Sequence, residues 1–144
     1  MEKINPFRVI IAGLIASLSF IIIETIFEGL IKILFQFDEV NLLLQYFPNV
    51  TLSGTRYYII NFVYLILTCE VTLWLYAALI PKFREGFKTA LLAGLIVIIL
   101  ITLFMVNYVN MNIIPLKPVL ISLALSLVEF PLSIVIGAGF YKSK

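Results

Sequence analysis

Four long apolar stretches separated by short polar breaks organise this chain: roughly Arg8–Leu34, Tyr57–Ile80, Lys88–Tyr108 and Pro118–Tyr141. Each meets or exceeds the about 20 mainly apolar residues that carry an α-helix across a bilayer. The third is the plainest. Leu91 to Val106 reads LLAGLIVIILITLFMV, apolar on every face, whereas a surface helix of a soluble domain has one apolar stripe and a polar back. The breaks read FQFDEVNLLLQYFPNVTLSGT, PKFREGFK and NYVNMNIIPLKP. Within the first, Val40, Leu43, Leu44 and Phe47 fall at helical spacing, which predicts a short outer interfacial segment over residues 38–47. The pattern predicts an all-α membrane protein: a four-helix transmembrane bundle in one domain spanning residues 1–144.

Composition agrees. The chain is 62% hydrophobic and 12% charged, against about 45–50% and ~25% in soluble domains. The first apolar stretch runs from Val9 to about Ile33. It outruns the ~7–15 residues of a signal-peptide core and lacks a small-x-small cleavage site, so it is expected to stay as a span. Lys3, Arg8, Lys82, Arg84, Lys88, Lys142 and Lys144 fall on one side of the bundle, and Lys32, Arg56 and Lys117 on or near the other. The positive-inside rule then puts both termini and the PKFREGFK turn in the cytoplasm of a bacterial-type inner membrane. Asn49-Val50-Thr51 on the outer side fits a glycosylation sequon, a triplet common by chance.

A net charge of +2 gives no reason to expect nucleic acid. The expected partners are the lipid bilayer and other membrane subunits, or a second copy of the chain. One cysteine, Cys69, excludes an internal disulfide, and the absence of histidine excludes bis-histidine haem, imidazole-bound zinc and imidazole proton relays. No nucleophile paired with a base, no phosphate loop and no metal cluster is present, so neither catalysis nor a cofactor is expected.

The chemistry that remains is acidic. Glu24, Glu70 and Glu129 lie inside apolar spans with no basic residue at their depth, and such a group costs at least ~2.5 kcal/mol in the bilayer interior. Counted by helix rise from the cytoplasmic edge, Glu70, Glu129 and Glu24 lie roughly 18, 20 and 24 Å deep, one layer near the midplane. Thr68, Thr102 and Ser126 calculate to a similar depth. Two readings follow: neutral acids hydrogen-bonded between helices as structural glue, or carboxyls converging on a cation or proton path. Glu28 and Lys32, one turn apart in the favourable order, read as a structural ion pair. Pro131 removes the amide that would bond the Leu127 carbonyl and predicts a kink beside Glu129. Trp74 and Tyr76 near the cytoplasmic half, and Tyr57, Tyr58 and Tyr108 near the outer face, read as interfacial anchors. Cys69 reads as core filler. The small pairs Gly13/Ser17, Ala12/Ala16 and Ser122/Ser126 read as close-packing positions.

The chain also hints at duplication. FRVIIAGLI opens the first span and FKTALLAGLI the third; the second and fourth each carry a glutamate, then a small pair, Ala77-Ala78 or Gly137-Ala138. Two helical hairpins in one orientation would form a parallel pseudo-repeat.

The segment WLYAALIPKFREGFKTALLAGL (Trp74–Leu95), followed by SLVEFPLSIVIGAGFYK, resembles a set of small uncharacterised bacterial four-transmembrane-helix proteins. The resemblance covers the last half to two thirds of the chain. It implies four spans and cytoplasmic termini, and it implies no activity. Small multidrug exporters also have four spans and a glutamate in the first, but they are shorter, and their first-helix sequence is missing here.

The expected function is therefore that of a small inner-membrane protein without catalytic activity, an accessory or scaffold subunit of a complex or homo-oligomer. The rival is a proton- or cation-coupled transporter using Glu24, Glu70 and Glu129. A lipid-acting enzyme has the least support.

Overall fold

A computed structural model describes residues 4–36, 39–46 and 54–141. The readings that concern Lys3, Asp38, Phe47, Pro48, Asn49, Lys142 and Lys144 lie outside the described residues. The described chain is helical, in the order α1 (Pro6–Phe35), α2 (Glu39–Tyr46), α3 (Thr55–Phe83), α4 (Phe87–Asn110) and α5 (Leu116–Phe140). All but α2 are long and apolar enough to cross a membrane.

Local chemistry sets the ends. The Asn5 side chain accepts from the Arg8 amide at 3.3 Å, with Pro6 at the first helical position, where a missing N–H costs nothing. α3 runs on through Pro81 to Phe83, since a proline in the last turn leaves few later residues to disturb. Arg84 (φ 68°) and Gly86 (φ 146°) then reverse the chain. Gly86 donates its amide to the Tyr76 hydroxyl at 3.3 Å, and the Thr89 hydroxyl donates to the Arg84 carbonyl at 2.6 Å. α5 stays helical through Pro131.

The long helices form a ring: α1 packs on α3 and α5, α4 packs on the same two, and α3 touches α5 across the middle. Neighbours are antiparallel, as contacts along α1 and α5 show. Ala12 and Ala16 lie against Gly137 near the end of α5, while Phe20 meets Phe130 edge-on at 6.1 Å further back. Ile4 and Tyr141 both belong to the packed core, so the two ends of the described chain share one end of the bundle. α2 leans on α5 and buries Leu42.

The core is confined to that end. It comprises Val9, Ala12 and Ala16 of α1, Cys69 to Ile80 on one face of α3, Ala90 to Ile98 of α4, and Phe130 to Tyr141 of α5. Along α1, by contrast, Leu14, Leu18, Ile22, Ile26 and Leu30 form a stripe with 42–61% exposure. In water such a stripe would be an aggregation patch; on four helices of this length and hydropathy it is the lipid face of a multi-pass membrane protein.

Burial reveals a repeat with a different register from the one the sequence suggested. α1 buries Val9, Ala12, Gly13, Ala16 and Ser17; α4 buries Ala90, Ala93, Gly94, Val97 and Ile98, in the same phase about the shared Ala-Gly-Leu-Ile. α3 buries Cys69, Thr72, Leu73, Tyr76, Ala77 and Ile80, matched on α5 by Phe130, Ser133, Ile134, Gly137, Ala138 and Tyr141. Here Ala77 corresponds to Ala138, Glu70 to Pro131 and Thr68 to Glu129. The glutamates of the second and fourth spans are therefore not equivalent positions. Aligning the small pairs slips the register by one residue, because it sets exposed Ala78 against buried Ala138.

Small residues set the tightest approaches. A Cβ on Gly137 would stand 2.6 Å from the Ala12 carbonyl oxygen and 2.7 Å from the Ala16 Cβ. Around Gly139, on another side of the same helix, nothing lies within 4 Å among the described residues. Gly137→Val should therefore lower stability by about 1–3 kcal/mol through overpacking, whereas Gly139→Ala should hold or slightly raise it. Denaturant unfolding in mild detergent, followed by helix circular dichroism, measures both. Equal effects of the two substitutions would contradict this packing.

Candidate functional site

The half of the bundle away from the termini is not filled. Between the four long helices lies a vestibule of about 1160 Å³, walled by α1 from Phe20 to Glu28, α3 from Tyr57 to Thr68, α4 from Ile98 to Met105 and α5 from Pro118 to Phe130. Phe20, Ile98 and Phe130 stand where the wall meets the packed core. Ligand sites are commonly about 300–1,000 Å³, so this one is roomy.

Each helix brings a polar line to the wall at helical spacing: Glu24 and Glu28 on α1, Tyr57, Asn61, Tyr64 and Thr68 on α3, Thr102 on α4, Ser122 and Ser126 on α5. Among the described residues no lysine or arginine belongs to the wall. Hydroxyls of Thr25, Thr68 and Thr102 donate to the carbonyls of Ile21, Tyr64 and Ile98 one turn back, at 2.7–2.8 Å. Their protons are thus spent on their own helices, and each oxygen keeps accepting capacity. Tyr57 and Tyr58 meet edge-on with centroids 5.6 Å apart.

Glu24, Thr68, Thr102 and Ser126 come together at this wall, and Glu28 joins them. Glu70 and Glu129 do not. Glu70 lies over Gly13, where a Cβ would overlap its carboxyl. Gly13 precedes Glu24 by about three turns, so the two carboxyls sit at levels roughly 16 Å apart along α1. Both Glu70 oxygens are enclosed and, among the described residues, have no hydrogen-bond partner. Glu129 is 4% exposed, within the α5 face that packs inward. A depth counted from each helix's own basic exit assumes level helices; here α3 is slid along α1 until its carboxyl lies over Gly13, where there is no side chain. The equivalent notch on α4, Gly94, receives Pro131, whose Cα would stand 3.0 Å from a Cβ added to that glycine. Pro131 thus serves packing within a continuous helix.

Tyr57, Tyr58, Asn61 and Tyr64 are the site residues that the sequence reading missed, having taken Tyr57 and Tyr58 as interface anchors and passed over the other two. Tyr76, also read as an anchor, is instead buried in the core, where its hydroxyl accepts the Gly86 amide. Ser122 and Ser126, read as a packing pair, also line the vestibule. The signal was present: Tyr57, Asn61, Tyr64 and Thr68 repeat at four, three and four residues, a polar stripe on a helix otherwise apolar. Among the described residues no group of three or more potential ligand side chains could hold a metal ion. No protein-family model, curated protein or solved structure matches the chain.

The isolation of Glu70 yields a measurable consequence. A buried polar group without a partner lowers stability, and an apolar side chain of similar length removes that cost. Glu70→Met should raise unfolding free energy by about 1–3 kcal/mol. Chemical unfolding of the two proteins in the same detergent decides this; a marked loss would mean that the carboxyl is held by a favourable interaction.

Proposed function

We propose that the chain is a non-catalytic accessory protein of a bacterial-type inner membrane that works by holding a guest in its vestibule. The observation that carries this reading is the asymmetry of the bundle, packed to contact at one end and open to about 1160 Å³ at the other. A membrane protein gains nothing from leaving polar side chains around an empty space, because each must be hydrated or matched. A scaffold needing only rigidity would close that end with the same small residues that close the other. The separation of Glu70 from Glu24 weighs against a relay running through all three carboxyls.

The matching burial of the two hairpins favours a second reading. Repeat-related halves around a central site are the usual architecture of carriers that alternate access. In that reading the packed end is the closed gate, and Glu24 is the coupling group.

Orientation follows from charge. Arg8, Lys82, Arg84 and Lys88 gather at the packed end, and Lys32, Arg56 and Lys117 at the other, which supports cytoplasmic termini and a vestibule facing outward. Glu85→Cys should then resist an impermeant thiol reagent in intact cells and react after permeabilisation, while Asn112→Cys reacts in both. The reverse pattern would invert the topology.

Gentle purification followed by mass spectrometry of everything retained tests the function itself. A guest, small molecule or protein, should accompany the unsubstituted chain and the Glu85→Gln variant. It should be lost from Ser126→Trp, which places a bulky side chain in the wall of the vestibule. Retention that is indifferent to Ser126→Trp would refute the role of the vestibule, and uptake against a gradient by proteoliposomes would select the carrier reading.

A further inference from the structure

We propose that the guest of the vestibule is a membrane lipid, drawn sideways between α3 and α4 from the leaflet at its level; this rests on the reading of the vestibule as the working site. One hydrocarbon chain lies inside, and the polar head stays at Tyr57, Tyr58 and Asn61.

Exposure along the helices shows where the vestibule opens. α3 and α4 are joined by a short reversal at the packed end. From Thr55 to Tyr64 on α3, and from Leu103 to Tyr108 on α4, every residue is exposed. These turns therefore stand clear of each other, and the gap between them faces hydrocarbon. The opposite side is covered. On α5, Pro118 is fully buried, Ile121 to Leu123 are partly buried, and α2 leans on the same helix.

Depth and wall chemistry name the occupant. The wall on α3 runs from Tyr57 to Thr68, a rise of about 16 Å. One leaflet of hydrocarbon is half of ~30 Å, about 15 Å, so a lipid chain reaches the floor at Phe20 and Phe130. An apolar-lined space open to hydrocarbon does not stay empty, since its lining would forfeit dispersion contacts. A lipid on the outside of the bundle touches one flank. A chain in the vestibule touches Phe20 of α1, Leu65 of α3, Ile101 of α4 and Leu123 of α5.

The polar groups are arranged to suit the two ends of such a molecule. Deep in the wall, Thr68 and Thr102 donate to carbonyls of their own helices and ask little of a guest. At the mouth, tyrosines suit the headgroup layer, and Asn61 offers two amide donors and a carbonyl acceptor. Glu24, Glu28 and Lys32 each interact within the chain, so the wall sets no demand for an ionic guest. The packed end stops the chain, because Gly94 against Pro131 and Gly137 against Ala12 leave no room for a further carbon.

The probe is phosphatidylcholine with an aryl diazirine at the end of one acyl chain. It is added to the full chain in maltoside micelles, illuminated, and its adducts are mapped by peptide mass spectrometry. We expect adducts at Phe20, Ile98 and Phe130 to saturate and to be competed by unlabelled phosphatidylcholine. Adducts on the lipid face of α1, at Leu14, Leu18 and Ile22, should rise in proportion to the probe. Glycerophosphocholine, the head without chains, should not compete. Ser126→Trp should abolish the floor adducts. Asn61→Leu should raise the half-saturating probe fraction about fivefold, the worth of one hydrogen bond.

Floor adducts that are absent, or that rise in step with those at Leu14 and Leu18, overturn the lipid. Competition by glycerophosphocholine overturns the chain as the part that is held. A partner's transmembrane helix lodged there instead would co-purify and leave the floor without adducts, which also overturns the lipid. Ser126→Cys, treated with N-ethylmaleimide before lipid is added, separates this failure from that of the site. Native Cys69 is buried, so labelling above the unsubstituted chain reports the vestibule. Labelling without floor adducts overturns the lipid and leaves the vestibule intact; absence of labelling overturns both. Should Ser126→Trp fail to fold, saturation and competition on the unsubstituted chain still decide.

Discussion

Close approach of helix backbones at residues with little or no side chain is the constraint on which this molecule depends. Within a bilayer, apolar side chains gain nothing by leaving lipid for one another, so association rests on packing and polar contacts. Gly137 against Ala12 and Ala16, Gly94 against Pro131, and Gly13 beneath Glu70 supply that packing, all at one end of the bundle. Beyond Ser17 on α1 and Ile98 on α4 there are no buried positions among the described residues. Isoleucine, phenylalanine and tyrosine take over, and these bulkier residues hold the helices apart. One distribution of residue sizes thus produces both the joined end and the open one.

The tight end is also where turn chemistry and core meet. Tyr76 is fully buried, packs edge-on against Tyr141 at 6.0 Å and accepts the amide of Gly86 through its hydroxyl. One side chain therefore ties the α3–α4 reversal to the end of α5. Thr89 reinforces the same turn from α4. This end is a knot of aromatic and hydroxyl contacts in which little can shift independently.

The helices were legible in the sequence because bilayer crossing imposes a length and an apolarity that few other constraints imitate. Leu91–Val106 could be nothing else. Helix phase was legible only in part. The shared Ala-Gly-Leu-Ile segments marked equivalent positions on α1 and α4 correctly, since glycine at a crossing point is a property of the backbone. The glutamates misled because a titratable residue draws attention whatever its rotation about the helix. Burial shows Glu70 in the register of Pro131, and Glu129 in that of Thr68. Axial sliding of α3 along α1 was invisible to counting from basic exits, and it separates carboxyls that the count had placed together. The vestibule was hidden for another reason. Its wall is a polar stripe spread over four helices, and tyrosine at a span's end carries the same signature whether it faces headgroups or an interior space.

The length of α1 reaches beyond packing. Its 30 residues measure about 45 Å along the axis, well over the ~30 Å hydrocarbon thickness of an average bilayer. A rod of this length fits a bilayer of average thickness by leaning, or by carrying its last turns, with Lys32, into the headgroup layer.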